Sequence, residues 1–447
     1  MKKYAVLISA VAALGGLLFG FDTAVIAGTI SALKSYWHLS DSAIGLVVAA
    51  ASIGCIPGAL FAGLMADYYG RKKMMLVTAL LYIIAAVGSG LAGSFMQLVI
   101  FRFIGGLAIG LASTLAPIYI SEVAPAHFRG RLGMSQQLAI VIGILIAFIS
   151  NYFIADSGYH FITTQNQWRF MLAAALIPSL IFFILLLSVP ESPRWLILKN
   201  KDSLARKIFG KIYYQADAEN ELTIVKSDLD QNQEKLKFSA IFSPRFKKVV
   251  IIGIVFAAIA QLTGINIIFY YAPLIFEKTH VGGSVLFQTV LTGIVNLIFT
   301  IVAFAFIDKL GRKKLLLAGS AVMGVCMLIV GWLFYTNHLS NYFVLIVIFV
   351  YIAAFACTWG SVLWVYVAEI FPNRIRGNAT SFAVFGNWSA NAIVSYTFPV
   401  MLGGLGAPVT FFIYGIINLC MILFVRRYIF ETKGIKLEKI EQLYSNV

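Results

Sequence analysis

Apolar residues in this chain run in long blocks rather than in short alternation, and brief polar segments separate the blocks. A helix needs about 20 apolar residues to cross a bilayer. Twelve blocks reach that length, at roughly 5–31, 42–66, 74–92, 96–121, 132–155, 169–190, 249–276, 285–307, 315–335, 342–367, 379–402 and 408–427. The pattern predicts an all-α membrane protein of 12 transmembrane helices, since a helix satisfies its own backbone in lipid. The first block lacks a small-residue cleavage pattern and runs into polar-containing helix, so it reads as a retained span.

Composition agrees. Over 447 residues the chain is 60% hydrophobic, with mean hydropathy +0.89. A soluble protein of this size has no place to bury so much apolar surface, so the solvent is lipid. The net charge of +15 raises the question of nucleic acid, but its distribution answers it. With the N-terminus in the cytoplasm, 30 of the 34 Lys and Arg fall in cytoplasmic segments, leaving Lys34, Arg102, Arg169 and Lys278. That positive-inside bias puts both termini in the cytoplasm of a cell with this protein in its cytoplasmic (inner) membrane. The basic stretch at 199–248 carries no aromatic stacking pattern, so no nucleic-acid partner is expected.

The chemistry of enzymes is missing from the sequence. Cys55, Cys326, Cys357 and Cys420 fall inside predicted spans without metal spacing and read as small apolar filler. The histidines (His38, His127, His160, His280, His338) are scattered in or beside loops. With no Ser-His-Asp set, phosphate loop or metal cluster, neither catalysis, nor a cofactor, nor a metal is expected.

The chain repeats itself. Asp67-Tyr68-Tyr69-Gly70-Arg71-Lys72-Lys73 returns as Asp308-Lys309-Leu310-Gly311-Arg312-Lys313-Lys314. Glu122-Val123-Ala124-Pro125…Arg129-Gly130 returns as Glu369-Ile370-Phe371-Pro372…Arg376-Gly377, and Pro190-Glu191-Ser192-Pro193-Arg194 is echoed by Phe430-Glu431-Thr432-Lys433-Gly434. Two six-helix halves are predicted at 1–198 and 249–428, with a cytoplasmic helical linker at 199–248 and a tail at 429–447. The linker is mixed in charge and too short for a regulatory domain of its own.

Two ionisable residues stand deep in apolar spans: Asp22 in the first and Arg102 in the fourth. A charge at membrane depth is expensive and marks function by default. A lone acid and a lone base in one bundle point to a buried pair. It is either a static ion pair or, where the acid takes up a proton, a switch.

These motifs resemble the sugar porter family of the major facilitator superfamily over nearly the whole chain. The specific set is Arg102-x-x-x-Gly106, Pro117-x-Tyr119-x-x-Glu122-x-x-Pro125-x-x-x-Arg129-Gly130, Pro190-Glu191-Ser192-Pro193-Arg194 and Gln261-Leu262-Thr263-Gly264-Ile265-Asn266. The resemblance implies two halves rocking about a substrate site near the midplane. It implies a cytoplasmic latch of salt bridges, formed when the transporter faces outward, among Asp67, Arg71, Glu122, Arg129, Glu191, Arg194, Asp308, Arg312, Glu369 and Arg376. It implies a sugar site of Gln137, Gln261, Asn266, Asn296, Trp364, Asn387, Trp388 and Asn391, edged by Phe19 and Tyr270. Amides donate and accept, as sugar hydroxyls do, and indoles cover a pyranose C–H face. Singly, each Asn or Gln is equally explained as interhelical glue.

Proton-coupled members resemble this chain at Asp22, where facilitators typically carry Asn. The expected function is proton–sugar symport of a hexose or pentose by a monomer in the lipid bilayer; an uncoupled facilitator and a membrane sugar sensor are the alternatives. Two departures bear on selectivity and gating. Ala260 stands where the family commonly has a first glutamine, and Trp359-Gly360-Ser361-Val362-Leu363-Trp364 contains no proline, leaving Gly360 as the expected bend.

Overall fold

The computed structural model describes residues 3–124, 129–213, 215–231, 243–279, 282–339, 342–372 and 375–433, with backbone alone at 129–132, 215–217, 228–231, 244, 245, 308 and 376. Among the described residues there are helices and no strands. Eleven helices are long and apolar enough to cross a membrane: Lys3–Trp37, Asp41–Tyr69, Arg71–Leu91, Phe95–Val123, Gly133–Ala155, Gln167–Ser188, Phe246–Glu277, Val285–Ile307, Arg312–Tyr335, Phe343–Ile370 and Gly406–Tyr428. The helix Arg376–Gly404 has the length of a span and completes a twelve-helix fold. Its asparagines, serines and threonines make it less apolar than the other spans, and it carries three candidate sugar-site residues, Asn387, Trp388 and Asn391. In chain order these are spans one to twelve, with Arg376–Gly404 as span eleven.

Serines open several spans. Ser40, Ser94 and Ser284 each accept a hydrogen bond from a backbone N–H three residues on, satisfying a group the first helical turn leaves bare. Span two packs closely on span four because glycines let the backbones meet: a Cβ on Gly106 would stand 2.0 Å from the Ala51 carbonyl oxygen. Span one packs on five, seven on eleven, and nine on twelve.

The halves meet through spans two and eleven and through five and eight. One face of the bundle, called the basic face, carries Tyr4, Lys433 and the repeated motifs at Arg71 and Arg312; the other is the opposite face. Cross-half contacts gather toward the opposite face. There Ser31 Oγ donates to Glu277 Oε1 at 2.9 Å, and the rings of Tyr152 and Phe287 stand 5.8 Å apart. Gly45 meets the Tyr396 carbonyl so closely that a Cβ would lie 2.4 Å from its oxygen. Among the described residues no ion pair joins the halves at the basic face. The contacts of Ser31 with Glu277, Tyr152 with Phe287 and Gly45 with Tyr396 bring the halves together on the opposite side.

Three breaks in the spans lie near the centre. Span one tightens to a 3-10 turn at Ile26–Thr29, just past Asp22, and Asn151 Nδ2 donates to the Val25 carbonyl there at 3.0 Å. Span seven breaks at Thr263 and Gly264 (φ 92°), and the Thr263 carbonyl accepts from Tyr351 Oη at 2.8 Å and Asn418 Nδ2 at 2.9 Å. Bare backbone at this depth has no water to turn to, so side chains from neighbouring spans supply the partners. Span ten breaks at Thr358, two residues before the expected bend at Gly360. The hydroxyl of Thr358 bonds its own helix at Ala354 O, 2.6 Å away, a pattern that bends helices without proline.

After span six, the helices Pro193–Leu198, Asp202–Ile212 and Gln215–Gln231 enclose a small core of Trp195, Ala205, Phe209 and Leu222.

Candidate functional site

Asp22 and Arg102 meet. Arg102 Nη1 donates to Asp22 Oδ2 at 3.1 Å and to the Asp22 backbone carbonyl at 3.0 Å, and both residues are buried. Gly105 packs closely here: a Cβ on it would stand 3.2 Å from Asp22 Oδ2, a tight contact. The guanidinium thus holds both the carboxylate and the backbone of span one, one turn before its 3-10 segment. Arg102 Nε and Tyr82 Oη, both buried, have no hydrogen-bond partner among the described residues.

A narrow cleft runs from this pair toward the C-terminal half, lined by Arg102, Thr23, Ser52, Cys55, Tyr270 and Trp388. Beyond it lies a cluster of amides with Gln261 at its centre. Gln261 Nε2 donates to Asn387 Oδ1 at 2.7 Å, and Gln261 Oε1 accepts from Asn266 Nδ2 and from Asn391 Nδ2, the latter at 3.3 Å. Asn391 Oδ1 accepts from Ser52 Oγ at 2.8 Å and Ser395 Oγ at 3.0 Å. Phe19 packs on Trp388 with ring centroids 5.4 Å apart.

The expected sugar residues therefore divide. Gln261, Asn266, Asn387 and Asn391 form one network, with Phe19, Tyr270 and Trp388 beside it. Asn296 is buried, Gln137 is half-buried and Trp364 is 37% exposed; none of the three is hydrogen-bonded among the described residues. Ser52 and Ser395 were missed by sequence reasoning, because a hydroxyl in a span ordinarily bonds its own helix and gives no signal. So was Gln136, whose amide is buried against Gly16 with both ends unpartnered among the described residues.

At the basic face the repeat becomes two matching clusters. Arg71 forks onto Glu122, Nε to Oε2 at 2.9 Å and Nη2 to Oε1 at 3.0 Å, and also reaches Asp67 at 2.9 Å. Arg312 Nη2 donates to Glu369 Oε1 at 2.9 Å, while Thr432 Oγ1 takes Glu369 Oε2 at 2.5 Å. Glu191 accepts from the backbone N–H of Arg71, Lys72 and Ser192. Glu431, which the repeat hinted at but which was not carried into the expected latch, accepts from Arg312, Lys313, Thr432 and Lys433. Gly70 (φ 102°) and Gly311 (φ 86°) turn the chain beside these acids; a Cβ would fall 2.3 Å and 2.5 Å from the Glu191 and Glu431 carboxylates. Lys72 Nζ donates to Leu187 O at 2.9 Å and Lys313 Nζ to Arg426 O at 3.1 Å, so each lysine caps a neighbouring span. Arg194 is half-buried and makes no ion pair among the described residues. The side chains of Arg129, Asp308 and Arg376 lie outside the described residues.

Burial pushes the Glu191 carboxyl above the usual carboxylate value, outweighing the backbone N–H groups and the Arg71 charge that pull it down. Burial also raises Glu431, but its four backbone N–H donors together prevail and hold it below that value.

Twelve helices in two repeated halves, closed about a polar centre with a buried acid–base pair, define a membrane transporter of the major facilitator superfamily. The chain belongs to its sugar porter family: the family model described as Sugar (and other) transporter matches residues 8–444. It is 39% identical over 442 residues to the arabinose-proton symporter of Bacillus subtilis, covering 99% of this chain and 95% of that one. It is likewise 39% identical over 476 residues to the D-xylose-proton symporter of Escherichia coli K12, covering 99% and 96%. Its fold matches the inward-open form of the E. coli xylose transporter with TM-score 0.86 at 39% identity, covering 98% of this chain and 100% of the other.

Proposed function

We propose that this protein is a proton-coupled symporter of a pentose or hexose, acting as a monomer in the cytoplasmic membrane with its basic face and both termini in the cytoplasm. The observation that carries the reading is the buried Asp22–Arg102 pair beside a cleft whose Ser52 reaches the Gln261 amide cluster through Asn391. An ionised Asp22 is held by Arg102, which fixes span one against span four. A proton on the carboxylate removes that attraction and lets span one move at its 3-10 turn. Sugar hydroxyls take the place of the amide-to-amide bonds at Gln261, Asn266, Asn387 and Asn391, with Trp388, Trp364, Phe19 and Tyr270 against the ring's apolar face. Gln137 and Asn296 complete the site from spans five and eight.

The basic-face clusters serve as the latch. Arg71–Glu122 and Arg312–Glu369 each lie within one half and are intact here, so they organise the charged helix ends that the two halves bring together when the transporter faces outward and separate when it faces inward. Closure at the opposite face, with no ion pair between the halves at the basic face among the described residues, supports an inward-facing state. The similarity to two proton–pentose symporters supports the substrate class and the coupling.

Sugar-induced alkalinisation of a weakly buffered medium outside proteoliposomes tests the coupling. Adding xylose, arabinose or glucose to the wild-type protein raises the external pH if protons enter with sugar. Sugar entry with no pH change would make the protein a facilitator, and binding without entry would make it a sensor.

A further inference from the structure

Most hydroxyls in these spans bond a carbonyl of their own helix, as Thr23, Thr78, Ser179 and Thr397 do. Ser52 does not. From span two its hydroxyl crosses to the other half and donates to Asn391 Oδ1 on span eleven at 2.8 Å, with Ser52 3% exposed and Asn391 2%. A carboxamide oxygen has two lone pairs, and Ser395 Oγ fills the second at 3.0 Å. With its oxygen engaged twice, Asn391 presents its NH2 to the site, where it donates to Gln261 Oε1 at 3.3 Å. Tyr270 lines the same cleft as Ser52 and Arg102.

We propose that Ser52 is a positioning residue that holds Asn391 as a hydrogen-bond donor toward the sugar, and does so only while the halves are closed at the opposite face. The proposal rests on the sugar-transport reading above. Ser395 travels with Asn391 on span eleven; Ser52 does not. When spans two and eleven part, the Ser52 bond is lost and the carboxamide is free to turn its oxygen toward the site. The hydrogen-bond polarity offered to one sugar hydroxyl therefore differs between the two states. A site hydroxyl partner that only donates rejects a ligand lacking an acceptor at that position, whereas a partner free to flip discriminates less.

Equilibrium binding to the full-length protein, read by tryptophan fluorescence, tests this with D-xylose, D-glucose and their single-deoxy and single-deoxyfluoro derivatives. Fluorine can accept a hydrogen bond and cannot donate one. In the wild type, one position should show the fluoro derivative binding about tenfold tighter than the deoxy derivative. Ser52→Ala should weaken the parent sugar about five- to tenfold and narrow that gap to about twofold, and Ser52→Thr should restore both. On an Asn391→Ala background, Ser52→Ala should add less than about twofold, because the two act as one unit. A wild type with no such gap, a gap that survives Ser52→Ala, a uniform loss that Ser52→Thr does not rescue, or losses that multiply with Asn391→Ala would each overturn the role of Ser52. A wild type that binds none of these sugars would overturn the transport reading and this inference with it; sugar binding that Ser52→Ala leaves unchanged overturns the inference alone.

Discussion

The two halves repeat one architecture but divide its chemistry. The N-terminal half holds the charge: Asp22 and Arg102 at the centre, and at its basic face an Arg71–Glu122 fork whose side chains are only 6% and 8% exposed. The C-terminal half holds the amides, and its matching pair is wetter, with the Glu369 side chain 28% exposed. Glu122 and Glu369 are repeat partners 247 residues apart, and the same step from Arg102 arrives at Phe349. The second copy has an aromatic where the first has its membrane-buried cation. The repeat thus shares a scaffold, and the two copies differ in what they carry at the centre. One half holds an acid–base pair and the other the Gln261 amide cluster, which correspond in the proposed function to proton chemistry and hydroxyl recognition. A change at the charged pair of the first half should strike coupling; a change at the amides of the second should strike affinity.

The largest effect falls on the charged half. Arg102→Ala should abolish proton-driven uptake in vesicles while sugar binding persists, and Asp22→Asn/Arg102→Ala should be little worse than either single change. Strictly additive losses would separate the two residues and break the division.

Stability sharpens the comparison next. Glu122→Ala removes the buried partner of Arg71 and leaves it only the exposed Asp67, so it should destabilise the protein by about 3 kcal/mol. Glu369→Ala should cost about 1–2 kcal/mol, since solvent already screens that pair. Denaturation in detergent measures both, and equal losses would show that the two clusters are alike after all.

Gln261→Ala should then weaken sugar binding by about 1–3 kcal/mol, leaving Asn266 and Asn391 each short of a partner, without changing the proton-to-sugar ratio. Calorimetry and paired flux measurements check the two parts.

The smallest effect is in pH. Glu191, lifted by burial, takes up its proton more readily folded than unfolded. Wild type should therefore gain stability relative to Glu191→Gln as pH falls from neutral toward the carboxylate range. Glu431 is held below its usual value, so its ionised form supports the fold; that support is present at neutral pH and lost as pH falls through the carboxylate range. Melting curves of Glu191→Gln and Glu431→Gln should diverge from wild type with opposite slopes.

Much of this was legible in the sequence. Asp22 and Arg102 stood out because membrane depth makes charge costly, and the same cost forces them together. Gln261, Asn266, Asn387 and Asn391 were visible as amides in spans, and the structure joins them. What the sequence hid is what looks ordinary there. Ser52 resembles any small residue in a packed span until its partner is seen. Lys72 and Lys313 read as topology signals but also cap spans six and twelve. The bend of span ten sits at Thr358 rather than Gly360, because a hydroxyl bonding backward bends a helix as a glycine does, and only geometry tells which one acts.

The most direct test of proton coupling at Asp22 is Asp22→Asn in reconstituted vesicles, measured two ways on one preparation. Asparagine imitates the protonated acid but has no removable proton. Counterflow, in which internal unlabelled sugar exchanges for labelled sugar, needs only binding and rocking and should persist. Accumulation of labelled sugar against its gradient under an imposed proton gradient should vanish. Accumulation at the wild-type level by Asp22→Asn would contradict the account.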